Sequence, residues 1–158
     1  GKEAVSKHHW VIYRYAETLL TYAESMVNAF NDVNYTDETY KYSALWAINE
    51  VRKNADMPLI PSMGKDEFME RLYNEWRVEF AFEDHRFWDI RRWLIADDEG
   101  VMKGAMYGLQ LSAVTGAPGK VHYKPYVFEN RLWSDRSYLH PIKQTEIDKG
   151  YMLQNPGW

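Results

Sequence analysis

The chain of 158 residues contains no cysteine. That excludes disulfides, thiolate metal sites and a cysteine nucleophile. No apolar run approaches the ~18 residues that a membrane-spanning helix needs. No signal peptide or lipid-attachment cysteine opens the sequence, and its first residue is Gly1 rather than Met. Positive charge is also scarce. Nineteen Lys and Arg stand against 23 Asp and Glu, so the basic footprint of a nucleic-acid binder is missing. Phosphate-binding loops, dinucleotide fingerprints, HExxH and nucleophile elbows are all absent.

Aromatic residues are abundant instead. Seven Trp, twelve Tyr and six Phe are more than a disordered chain carries, and they argue for a sizeable core. Apolar residues recur at steps of three and four from Trp10 to Phe30, which predicts an amphipathic helix over about 10–30. The turn formers from Asn31 to Asn34 end it. A second helix is expected over about 36–56. Thr36 would cap it, and Asp37 and Glu38 would face the positive end of its dipole. A third is expected over about 65–95, with a buried line through Phe68, Leu72, Trp76, Phe80, Phe87, Ile90 and Leu94. That line is interrupted near Glu83, Asp84 and His85, where a bend is plausible. From about 97 to 158 glycines punctuate an irregular region. It holds two candidate short strands, 107–114 and 122–133, and a short helix from Gln144 to about Lys149. The fold class is therefore mainly α, with tetratricopeptide-like helix pairs and an irregular C-terminal region containing short strands. No clean 34-residue self-similarity accompanies the pairing.

Charge is densest on the third helix. Arg71, Glu75, Glu79 and Glu83 follow at steps of four. Stacked carboxylates invite a glycosidase reading. Carboxylates in one row, however, more commonly pair with arginines than flank a cleft. His85 and Asp89 share a helical face and would form half a metal site. No second His stands nearby, so His85 held by Asp89 or packed beside Arg86 is the better reading. Adjacent His8 and His9 cannot face one ion from a helix. The C-terminal aromatics Tyr107, Tyr123, Tyr126 and Trp133 are candidates for stacking on sugar rings, against the alternative that they pack the irregular region onto the helices.

Five stretches then coincide in order. They are RYAETLLTYAE from Arg14, ALWAINEVRKNADMP from Ala44, EFAFEDHRFWDIRRW from Glu79, YLHPIKQTEI from Tyr138 and the closing QNPGW from Gln154. Together they resemble the C-terminal region of the SusD/RagB family, over nearly the whole chain. The resemblance implies a largely helical, lipid-anchored protein at the outer surface of a Bacteroidetes-type outer membrane. Such a protein binds glycans, or peptides in some branches, and serves a SusC-like TonB-dependent transporter. It implies no catalysis, no cofactor and no metal. It also implies a longer polypeptide, of which residues 1–158 form the C-terminal region, with signal and lipid anchor upstream. Arg14, Glu17, Arg52, Glu79, Arg86, Asp89 and Arg92 fall on the matched motifs and are expected to bridge helices. Two positions depart from the family pattern. Asp84 stands where Gly is usual, which makes a continuous third helix easier, and Lys143 stands where a second Pro is common. A helical scaffold for a protein partner, or less favourably a carbohydrate hydrolase, are the alternatives.

Overall fold

The computed structural model describes residues 11–158. Trp10, His8 and His9 lie outside the described residues. The chain forms two compact units, one running to Arg86 and the other from Phe87 to Trp158.

The first unit holds three long helices: α1 (Tyr15–Phe30), α2 (Ala44–Asn54) and α3 (Lys65–Glu79). On α1, Leu19, Leu20, Ala23, Met26 and Val27 are buried, a stripe at helical spacing. Asn31 stops the helix by turning left-handed, at φ 57°, and its N–H donates to the Val27 carbonyl. Helix α2 starts eight residues later than Thr36. Ser43 is its cap, accepting from the Trp46 N–H at 3.1 Å. The Asp37 carboxylate is engaged elsewhere. It accepts from the N–H groups of Thr39 and Tyr40 at 2.8 and 2.6 Å, a local turn that competes with helix. Ile48 and Val51 turn inward from α2, and Phe68, Leu72 and Trp76 from α3. Helix α1 packs on both. Phe68, Leu20, Ile48 and Leu72 are the largest wholly enclosed side chains of this unit, each stabilising by about 1.5–3 kcal/mol.

The expected helix over 65–95 is two helices. Helix α3 ends at Glu79, and α4 (His85–Arg92) begins after a turn. Phe82 and Asp84 both adopt left-handed backbone, at φ 67° and 64°. Asp is one of the few L residues that tolerate this region, so Asp84 takes the turn and the expected continuous helix does not form. His85 is not held by Asp89. Its ring lies 4.3 Å from Phe80 and 5.6 Å from Trp76, with Nε2 3.9 Å from the Glu17 carboxylate.

In the second unit the first strand starts three residues earlier than expected, and the second ends two residues sooner. β1 (Gly104–Ala113) and β2 (Val121–Arg131) form one antiparallel hairpin with a register shift between Met106 and Tyr107. Gly104 begins β1 at φ 81°. That left-handed backbone is one that L side chains rarely adopt, so glycine suits the position. Beyond the hairpin a 3₁₀ turn (Asp135–Tyr138) and α5 (Gln144–Ile147) are tied by the tail. Gln154 bonds both ways with the Ile142 backbone at 2.8 Å, and the Trp158 indole donates to the Arg136 and Leu139 carbonyls.

Candidate functional site

Glu75 and Glu79 of α3, and Glu83 in the turn after it, are tied to arginines. Arg14 donates to the Glu79 carboxylate at 2.6 Å, to the Glu79 carbonyl at 2.7 Å, and to both Glu83 oxygens at 2.9 and 3.0 Å. It lies 4.5 Å over the Phe80 ring as well. The carbonyl contact satisfies one of the orphan acceptors at the end of α3. Burial works against the guanidinium charge, but the bonds to Glu83 and Glu79 outweigh it and raise the Arg14 pKa. One turn earlier, the Glu75 carboxylate is 6% exposed and accepts from Arg52 at 2.6 Å. Arg52 also donates to the Pro58 carbonyl. Glu17 stands near His85, as described above. In the second unit, buried Asp89 accepts from Arg92 at 2.9 Å, one turn along the same helix. Arg86 is half-buried at the start of α4. Among the described residues, no group of three His, Asp or Glu is placed to hold a metal ion.

The four aromatic candidates do not form one surface. Residues opposite each other in the hairpin share a face, and faces alternate along a strand. Tyr107 pairs with Val127, Leu109 with Pro125 and Leu111 with Tyr123. These six make one face, on which Tyr107 is 68% and Tyr123 64% exposed. Four strand positions and one strand spacing put their Cα atoms about 14–15 Å apart. Tyr126 pairs with Gly108 on the opposite face. A Cβ on Gly108 would lie 3.1 Å from the Tyr126 ring, so glycine makes the seat for that ring. Trp133 lies past the hairpin, half-buried, edge-on to Tyr138 at 5.2 Å and 5.3 Å from the Arg91 guanidinium. Tyr138 donates a short hydrogen bond to the Asp97 carboxylate, which lowers the Asp97 pKa and raises that of Tyr138 along with burial.

Residues that the sequence reading passed over are also presented outward. On α4, Trp88 is 61% exposed, next to Phe87, whose ring stacks with His140 at 5.8 Å. The apolar period put Phe87 and not Trp88 on the buried line, but Phe87 too is exposed, at 40%. In the first unit, a cleft of about 430 Å³ is lined by Tyr15 and Trp46 among polar groups from α1, α2 and α3.

Comparison with known proteins decides the family. The sequence profile of the SusD family matches residues 2–158. The chain belongs to the SusD family. Two solved structures share its fold. A SusD-like protein from Bacteroides fragilis is 29% identical with a TM-score of 0.75, covering 94% of this chain and 26% of that one. A SusD superfamily protein from Parabacteroides distasonis is 21% identical with a TM-score of 0.60, covering 94% and 27%. The chain therefore spans about a quarter of the length of these SusD-type structures. No curated protein sequence matches. In this SusD-family chain, Arg14 and Arg52 on the matched stretches tie the start of α1 and the end of α2 to α3.

Proposed function

We propose that the protein containing this chain is a non-catalytic, nutrient-binding component of an outer-membrane uptake system, with a glycan as its ligand. It would deliver that glycan to a SusC-like TonB-dependent transporter from the cell-surface face, held by a lipid anchor outside these residues. Family membership supports nutrient binding at the outer membrane, and the α1–α2 pair would serve as one tetratricopeptide-like unit of the scaffold. The ion pairs support a role without catalysis. Glu75, Glu79 and Glu83 hold arginines in place, which leaves them poorly suited to proton transfer.

The observation that carries the glycan reading is the hairpin face. Two exposed tyrosines with Cα atoms about 14–15 Å apart, and an apolar floor between them, suit an extended chain of sugar rings better than a single ring. Tyr126 and Trp133 belong to other surfaces and stand outside this proposed site. Retention on polysaccharide gels tests this. The wild-type chain should be slowed by at least one soluble glycan without releasing sugar. A Tyr107→Ala/Tyr123→Ala chain should lose most of that retention, about tenfold or more in affinity. Unchanged retention would remove the hairpin face from the site. Sugar release that Glu79→Gln abolishes would favour a hydrolase.

The same face supports one other reading. Leu109, Leu111 and Val127 between the tyrosines are also exposed, and apolar side chains of this kind are common in protein interfaces. Capture of the transporter through this face, with no glycan retention, would favour a scaffold role.

A further inference from the structure

The cleft in the first unit has a chemistry of its own. Its aromatic walls are Tyr15, which is largely exposed, and Trp46. Tyr42 stacks on the Trp46 indole at 4.1 Å and fixes the ring where it lines the cleft. The polar groups are Arg14, Glu50, Asn54 and Glu79. Arg14, the only cation among the described lining residues, is already neutralised by Glu79 and Glu83. Glu50 is different. Its side chain is 38% exposed, and Lys53 stands 3.8 Å away, beyond hydrogen-bond reach. The cleft therefore offers a carboxylate with unused acceptor capacity beside two aromatic rings, and its net charge is negative. Such a set favours a cation. A protonated amine can donate to the carboxylate and lie against a ring face. A carboxylate-bearing ligand would meet repulsion there. The volume of about 430 Å³ is in the range of small-molecule sites and holds a single sugar-sized ligand.

We infer that this cleft binds a small ligand carrying a protonated amine, with Glu50 as the charge partner and Trp46 and Tyr15 as the walls. The inference does not depend on glycan binding at the hairpin, which belongs to the other unit.

Three probes with one ring and three charges test it: glucosamine, glucose and glucuronate. Titration of the intact chain is read by calorimetry and by the Trp46 indole signal in NMR. At mildly acidic pH, where the amine is protonated and the carboxylates ionised, glucosamine should bind about tenfold or more tighter than glucose. Glucuronate should bind weakest. Added salt should narrow the gap. Glu50→Gln should bring glucosamine to the level of glucose, and Glu50→Lys should reverse the preference towards glucuronate. Glu70→Gln, a change of equal charge on an exposed part of α3, should leave the preference intact, as should Tyr107→Ala/Tyr123→Ala. Equal binding of the three probes, no binding of any, or glucosamine binding that survives Glu50→Gln would each overturn the inference. A lost hairpin site with this preference intact would separate the two proposals.

Discussion

Arg52 and Glu75 show how a single ion pair divides its work. The two side chains are 16% and 9% exposed, so both charges have given up most of their water. Their attraction at 2.6 Å offsets that loss without greatly exceeding it. Breaking the pair is another matter, because one buried charge is left alone. Arg52→Met should therefore cost about 3 kcal/mol in urea unfolding. Part of that loss comes from the freed Pro58 carbonyl. The double change Arg52→Met/Glu75→Leu should recover most of it, to within about 1 kcal/mol of wild type. A double variant no better than Arg52→Met would mean that the pair contributes net stability beyond cancelling its own desolvation. The contrast with exposed pairs is large. Lys149 and Glu146, both well exposed, are worth at most about 1 kcal/mol.

At the scale of the element, the turn between α3 and α4 gives a test whose sign decides. Asp84 sits at φ 64°. Asp84→Gly should therefore be neutral or stabilising by about 0.5 kcal/mol, since relief of left-handed strain outweighs the added freedom of the unfolded chain. Asp84→Val should lose about 1–2 kcal/mol. Thermal unfolding of both variants reads the difference. Were the residue inside a continuous helix, Gly would instead lose about 1 kcal/mol. This turn also marks where sequence reading stops. The apolar period located α1 and α3, because burial follows spacing, but its line also ran through Phe87 and Leu94, which are exposed. The interruption of the apolar line near Glu83, Asp84 and His85 marks the bend, but spacing alone does not give the left-handed torsions at Phe82 and Asp84 that divide the helix. The start of α2 was misplaced for a similar reason. Thr36 and Ser43 are both plausible caps, and only the bonds of Asp37 to Thr39 and Tyr40 show which one the chain uses. The strands of the hairpin were found, but not their register. Register decides that Tyr107 and Tyr123 share a face while Tyr126 does not. The aromatic cleft beside Glu50 was invisible, since its walls come from positions 31 apart in the chain.

At the scale of the whole molecule, acid stability collects the effects of separate carboxylates. The bond from Tyr138 holds Asp97 below the usual carboxylate range. The N–H of Tyr40 and the hydroxyl of Tyr35 do the same for Asp37, and Lys149 and Tyr151 for Glu146. A depressed pKa in the folded state means that unfolding takes up protons. The stabilisation is complete above the unfolded values, about 3.9 for Asp and 4.3 for Glu, and is lost as pH falls through the lower folded values. The urea midpoint should thus stay level from neutral pH to about pH 5 and drop below about pH 4. Asp97→Asn should make that drop shallower, and an unchanged slope would show that the Tyr138 bond does not report on unfolding. Arg14 has a different consequence, for the order of assembly. It joins residues 65 and 69 positions apart, whereas the hairpin strands meet across a short connection. Closing the longer loop carries the greater entropic barrier. The hairpin therefore belongs to the early events of folding, and the Arg14 clasp acts as a late latch, felt in how slowly the first unit opens rather than in how fast it forms.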